Sequence, residues 1–223
     1  MEPGALWLYH YGSHGSDDLV ACLSGSTGAT PGDEKDPIIP AIPALYTERL
    51  VLRPFEPADA PRVRELASAP EVAETTLNIP HPYPAGAAEA WLSTHAESAA
   101  AGRAYTWAVT LNSSGEVAGA ITIRVNADHG RADLGYWLGV EYWNKGYMTE
   151  AVRRVVEWGF GELRLHRVEA RCLPRNRGSS RVMEKAGMRH EGTLRGYIRK
   201  GDRYEDIAVY GLLHEDLADE RRR

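Results

Sequence analysis

The chain has 223 residues, 43% hydrophobic and 26% charged, which fits one globular domain with an additional segment. Its net charge of −5 excludes the whole-molecule basic field that draws proteins to nucleic acid, although Arg171, Arg175, Arg177 and Arg181 gather local charge enough for one small phosphorylated ligand. Two cysteines, Cys22 and Cys172, are too few for a disulfide framework, and no metal-ligand spacing surrounds either.

Residues 1–44 differ in texture from the rest. Gly, Ser, Thr, Pro and Asp dominate from Gly12 to Pro43 without a helical or strand period, so this stretch is expected to be a Gly/Ser/Pro-rich flexible extension. Leu6, Trp7, Leu8 and Tyr9 offer the alternative of an anchor on the domain or on a second subunit of a homodimer. The apolar piece from Ala5 to Tyr9 is too short for a signal peptide, and no run reaches the length of a membrane span. A cytoplasmic protein without membrane contact is expected. His10 and His14 stand four apart, but Gly12, Ser13 and Gly15 oppose a helix presenting both to a metal.

The domain is assigned to residues 45–216. It opens on a β-rich run at Leu50-Val51-Leu52. Glu56 to Ala69 reads as a helix with Pro57 in its first turn and Val63, Leu66 and Ala67 on one face. The prolines of Ile79 to Pro84 force extended chain, and Ala85 to Ala101, rich in Ala and Glu, reads as a second helix. Strands follow at Tyr105 to Leu111, Val117 to Val125 and Ala132 to Val140, forming an antiparallel meander. Met148, Val152, Val155, Val156, Gly159 and Phe160 then line one face of a helix that ends near Glu162. Arg167 to Leu173 is a strand, so a strand–helix–strand crossover is expected, with Cys172 a buried thiol. Asn176 to Ala186 is a helix closed by Gly187, and Met188 to Tyr197 and Ile207 to Leu213 are the last strands. The order β-α-α-β-β-β-α-β-α-β-β predicts an α/β architecture on one mixed, mostly antiparallel sheet flanked by helices. A charged tail occupies 217–223.

Chemistry concentrates where the third meander strand meets its helix. There a strand runs into the Gly-bearing loop around Asn144-Lys145-Gly146, which opens a helix at Tyr147-Met148-Thr149. Free amides in a first helical turn, with the positive end of the helix dipole, make an anion site. Gly146 lets an oxyanion approach the backbone and Lys145 adds a point charge, an arrangement suited to a coenzyme pyrophosphate. Neither a Walker loop nor a dinucleotide fingerprint is present.

The run Leu134-Gly135-Tyr136-Trp137-Leu138 followed by Trp143 to Ala151 resembles the coenzyme A motif of the GNAT acetyltransferases, within them the RimJ/RimL branch. Thr47-Glu48-Arg49-Leu50, Leu52-Arg53-Pro54, Pro82-Tyr83-Pro84, Asn176 to Gly187 and Glu191-Gly192 agree in order, so the resemblance covers about Tyr46 to Leu213. Two positions depart from it. Trp143 stands where the superfamily usually has Gln or Arg, and Met148 where it usually has Gly or Ala, a change expected to reshape the coenzyme groove.

The resemblance implies a GNAT fold and acetyl-CoA as cosubstrate, with no metal and direct attack by an amine in a ternary complex. Leu138, Gly139 and Val140 would hold pantetheine and polarise the thioester, and Asn144, Lys145, Gly146, Tyr147, Met148 and Thr149 would cradle the pyrophosphate. Asn176 would bond the pantetheine arm, though Asn before a helix is equally an N-cap. Ser179 would protonate the departing thiolate or simply pack, and Asp133 would be a general base or a solvent-facing charge, with Glu141 and Glu191 as further candidates. Arg181, with Arg175 and Arg177, would meet the 3′-phosphate or line a solvated helix face. The acceptor implied first is a protein or peptide N-terminal α-amine, as for ribosomal-protein-alanine acetyltransferases. A small amine such as an antibiotic, polyamine or amino acid is the alternative, and a non-catalytic coenzyme-binding module the third.

Overall fold

A computed structural model describes residues 41–220. The expectations placed on 1–40 and 221–223, among them most of the extension, the Leu6–Tyr9 anchor, Cys22 and the His10/His14 pair, lie outside the described residues. The end of the extension that is described is docked: Ile42 packs on the core, and the Pro43 carbonyl accepts the Trp107 indole N–H at 2.7 Å.

The strands are β1 (Leu45–Tyr46), β2 (Leu50–Pro54), β3 (Ala104–Leu111), β4 (Val117–Asn126), β5 (Arg131–Leu138), β6 (Arg167–Cys172), β7 (Arg189–Lys200) and β8 (Arg203–Leu213). They form one sheet in the order β1-β2-β3-β4-β5-β6-β8-β7. Only the β5–β6 pair is parallel, because helix α5 (Tyr147–Gly161) carries the chain back between them. This is the expected crossover on the expected mixed sheet. Alternation along β3 aims Tyr105 and Trp107 at α5, where the Trp158 ring meets them edge-on at 4.9 and 5.0 Å. Val152, Val155 and Val156 complete that interface, and helix α6 (Arg177–Lys185) adds Met183 to the same core. Helices α1 (Ala60–Ala67) and α3 (Ala87–Ser93) pack a smaller cluster against Trp137.

The helices before β3 are more broken than their sequence implied. The helix expected from Glu56 opens as a single 3-10 turn at Pro57–Asp59 before α1, and Ala69-Pro70 starts a separate helix α2 (Pro70–Thr75). Proline suits a first turn and pushes the residue before it into extended conformation, so Pro70 both ends one helix and begins another. The stretch expected as one helix from Ala85 to Ala101 breaks at Thr94, whose hydroxyl bonds the Trp91 carbonyl at 2.8 Å, leaving α3 and α4 (His95–Ala100). At the C-terminus, helix α7 (His214–Glu220) takes in residues 217–220, which the sequence assigned to a tail, and Leu217 packs on the core. Among the described residues no helix is long and apolar enough to cross a membrane.

One buried group has an acid-sensitive signature. His95 is 7% exposed, sits between Phe55 and Trp91 with the Trp91 ring edge-on at 4.5 Å, and neither ring nitrogen finds a partner. Burial lowers its pKa from 6.5 to about 4. Below about pH 6.5 the unfolded chain therefore binds a proton that the folded chain refuses until about pH 4. Stability falls as pH drops through that window, by about 3 kcal/mol at its lower end, and this group has no effect above it. Urea unfolding of His95→Phe between pH 7 and pH 4.5 is expected to show a shallower decline than the parent. Parallel declines would assign the acid limb to another group.

Candidate active site

β5 and β6 pair from Arg131↔Arg167 to Leu134↔Ala170 and then part, although β5 runs on to Leu138 and β6 to Cys172. The Gly139 N–H donates to the Ala118 carbonyl at 2.9 Å, so the odd-numbered amides of β5 face β4. By alternation the amides of Tyr136 and Leu138 face the gap. The Leu138 carbonyl already accepts the Trp143 indole N–H at 2.9 Å, which gives Trp143 a structural reason to replace the usual Gln or Arg. Of the three residues assigned to the pantetheine arm, Leu138 keeps an inward amide. Gly139 does not, and Val140 belongs to a 3-10 turn (Val140–Tyr142), not the strand. The strand gives way to that turn where the chain passes close against α1: a Cβ at Gly139 would come within 2.6 Å of the Leu66 side chain. The open edge is Tyr136 to Leu138.

At the mouth of this gap the chain turns through Asn144 (φ 59°) and Gly146 (φ 80°) into α5. The first helical amides, Tyr147, Met148 and Thr149, have no carbonyl one turn back, and no side chain caps this end. The uncapped first turn that the sequence reading required is therefore present. The Met148 side chain is buried in the core, so at this turn the residue offers its backbone amide. Lys145 lies 5.9 Å from the Tyr142 ring. Beside the turn opens a cleft of about 510 Å³ whose lining includes Arg49, Thr149, Arg153, Arg154 and Lys185.

The far wall of the gap is α6. Asn176 is its N-cap: Oδ1 accepts the Ser179 N–H at 3.0 Å, while Nδ2 donates to the Thr75 carbonyl of α2 at 3.0 Å. The Ser179 hydroxyl is 2.9 Å from the Tyr136 hydroxyl, which also donates to the Ser179 carbonyl at 3.2 Å. Burial raises the Tyr136 pKa strongly and keeps the phenol protonated. Cys172 closes the gap with its thiol 3.5 Å from the Ser180 hydroxyl, and burial raises its pKa too. Sequence reasoning missed Tyr136, although strand alternation already placed it opposite Asp133, Gly135 and Trp137.

Asp133 lies on the other sheet face, opposite Glu169 and 3.6 Å from Arg171. Burial raises its carboxyl pKa and outweighs the pull of Arg171, Arg124 and Arg131, a direction that suits a general base. Glu191 is held below the usual carboxylate range by Arg167, at 2.7 Å, and Glu141 is paired with Arg62 at 2.6 Å. The arginines read together in sequence are dispersed. Arg171 joins the sheet-face network and Arg175 pairs with Glu205 at 3.0 Å. Arg177 and Arg181 are exposed on α6, with Arg181 one turn from cleft-lining Lys185.

Residues 49–189 match the family described as Acetyltransferase (GNAT) domain. The uncharacterized N-acetyltransferase p20 of Bacillus licheniformis is 32% identical over 175 residues, spanning 78% of this chain and 98% of that protein. A GNAT-family acetyltransferase from Bacillus anthracis superposes with a TM-score of 0.69 at 30% identity, covering 77% of this chain and 99% of that one. Mycobacterium smegmatis RimJ, in complex with CoA-disulfide, superposes with a TM-score of 0.70 at 22% identity over 81% and 90% of the two chains. The chain belongs to the GNAT acetyltransferases.

Gly146 tests the anion site directly. A β-branched residue at its positive φ is strained by on the order of 1–3 kcal/mol, and its Cβ would lie in contact with the Arg49 guanidinium at 3.4 Å. Melting curves should show acetyl-CoA stabilising the parent, as a ligand of the folded state must, and failing to stabilise Gly146→Val, which itself stays folded. A retained shift would place the coenzyme elsewhere.

Proposed function

We propose that this GNAT-family chain transfers the acetyl group of acetyl-CoA directly to a primary α-amine, a polypeptide N-terminus first. The observation that carries this reading is the open backbone edge at Tyr136 and Leu138, bounded by the uncapped α5 turn at one end and the Ser179–Tyr136 hydroxyl pair on its far wall. The residues present fit the coenzyme. Amides of the turn would hold its diphosphate, and the open edge of β5 would pair with the pantetheine arm as a further strand would. An inward amide there would polarise the thioester carbonyl, an effect of roughly 3 kcal/mol for one well-aimed donor.

Ser179 is placed to give its proton to the sulfur as the carbon–sulfur bond breaks, with the Tyr136 phenol orienting that hydroxyl. Asp133 would take the proton that the amine must lose, through an intervening water. The demand on this base depends on the acceptor. An α-amine of pKa about 7.8 is already neutral for roughly a tenth of the time at pH 7, whereas a lysine is neutral less than about one part in a thousand. A half-exposed aspartate of only raised pKa suits the first better than the second.

A small amine bearing a carboxylate is the second reading. Exposed Arg124 is the cross-strand partner of Asp133, and its guanidinium lies 3.1 Å from where a Gly135 Cβ would be, ready to meet an anion beside the amine. Labelled acetyl-CoA with peptides carrying free or blocked N-termini, free amino acids and polyamines separates these readings. Transfer to none of them would leave a coenzyme-binding module.

Ser179→Ala is expected to lower kcat by about tenfold to a hundredfold, since a thiolate leaving group needs only modest acid help, with coenzyme affinity retained. Tyr136→Phe should follow in the same direction with a smaller loss. Steady-state kinetics alongside direct coenzyme titration checks both, and an unchanged kcat in Ser179→Ala, where chemistry limits turnover, would reduce that serine to packing.

A further inference from the structure

We infer that Arg49 is a positioning residue for the phosphate-binding turn, acting through the Lys145 carbonyl and Glu150 to aim the Gly146 amide at the coenzyme diphosphate. The inference rests on the coenzyme reading above and adds to it a residue distant in sequence and outside the turn itself.

Arg49 stands in the turn between β1 and β2. Its Nη1 donates to the Lys145 carbonyl at 2.9 Å. Its Nε donates to Glu150 Oε2, and its own backbone N–H to Glu150 Oε1, both at 2.8 Å. The guanidinium also lies 4.8 Å over the Tyr147 ring centroid. One side chain thus grips residues 145, 147 and 150, on both sides of the glycine. The Asn112 N–H, donating to the Arg49 carbonyl at 2.9 Å, ties this turn in its own place to the β3–β4 connection.

The consequence follows from peptide geometry. A trans peptide points its C=O and N–H in opposite directions. Fixing the Lys145 oxygen on Arg49 therefore fixes the Gly146 N–H pointing away from Arg49, out of the turn. The flanking backbone does not hold this orientation unaided, because Asn144 sits at φ 59°, a region that non-glycine residues occupy sparingly, and Gly146 at 80° is free to rotate elsewhere. Lysine would not substitute fully, since a single ammonium lacks the fork that spans a carbonyl and a carboxylate at once. The Arg49–Glu150 pair is partly exposed, with side chains 45% and 18% accessible, so its worth to global stability is small and its placement points to local order.

The test is titration of coenzyme A into the parent, Arg49→Gln, Arg49→Lys and Glu150→Gln, following affinity by calorimetry and the Gly146 amide by NMR. In the parent, coenzyme A is expected to move the Gly146 amide proton downfield. In Arg49→Gln, affinity should fall about tenfold, the order of one charge-assisted contact, and the downfield shift should shrink with it. Arg49→Lys should recover part of both, and Glu150→Gln, which loosens the arginine without removing it, should lose less. Unchanged affinity and an unchanged Gly146 shift in Arg49→Gln, with the parent binding normally, would overturn the role of Arg49 alone. A weakened affinity with a full Gly146 shift would also overturn it, since a merely structural loss leaves the turn's aim intact. A parent that does not bind coenzyme A, or binds it without moving Gly146, would overturn the coenzyme reading and this inference together.

Discussion

The organising constraint of this molecule is that two parallel strands stop pairing before they end. A sheet interior normally satisfies every amide and carbonyl, because an unpaired buried backbone group costs about as much as a lost hydrogen bond. β5 and β6 break that rule after Leu134 and Ala170. What lies around the break compensates for it. The Leu138 carbonyl is taken by Trp143, the wall opposite is lined with the hydroxyls of Tyr136, Ser179 and Ser180, and α6 is anchored by its own Asn176 cap. Groups left unmatched in this way are available to a ligand that brings its own amides and carbonyls, which a pantetheine arm does. The parallel pairing that makes the break also requires a crossover helix, and that helix supplies the anion site at its start. The slot and the phosphate turn are thus two results of one topology.

Charge is arranged around the same break by sheet face. The face under α5 and α6 is apolar, and the other carries Arg131, Asp133, Arg167, Glu169 and Arg171 as an interlocking set. Glu169, only 7% exposed, is held by three of these arginines. The chain's net charge of −5 is therefore a poor guide to either end of the site. The α5 turn presents amide dipoles beside a cleft of mixed charge, Arg153, Arg154 and Lys185 against Glu48, Glu150 and Glu157, while Asp133, the proposed base, is a carboxylate crowded by guanidinium groups.

How much of this the sequence disclosed depended on how local each signal was. The glycine turn, the 3.6-residue pattern of α5 and the period-two strands are set by neighbours within one or two turns, and the β5-α5-β6 crossover followed from them. The helices before β3 were misread where Pro70 begins a further helix and Thr94 ends one, each a single-residue effect. The third meander strand was read two residues too long, to Val140, because the 3-10 turn Val140–Tyr142 that replaces its end has no local sequence signal. Arg49 and its partners stand 96 and 101 residues apart, and no periodicity reports such a contact. The arginines at 171, 175, 177 and 181 looked like one cluster only because sequence proximity ignores the change from strand to loop to helix between them.

Asn176 shows why a motif residue resists assignment from type alone. As a cap it is fully explained: its oxygen holds the Ser179 amide, and so sets the position of the hydroxyl proposed to protonate the thiolate. Its nitrogen bonds the end of α2, where Lys200 from the β7–β8 hairpin also donates, to the Ala73 and Thr76 carbonyls at 2.6 Å each. An amide nitrogen carries two hydrogens, and Thr75 takes one. The second is left for a pantetheine carbonyl, so capping and coenzyme contact do not compete for the same atom. One side chain thus ties the start of α6 to the end of α2. The proposed binding role of Asn176 is thus compatible with its structural one, since the geometry that caps the helix leaves one N–H free of these bonds.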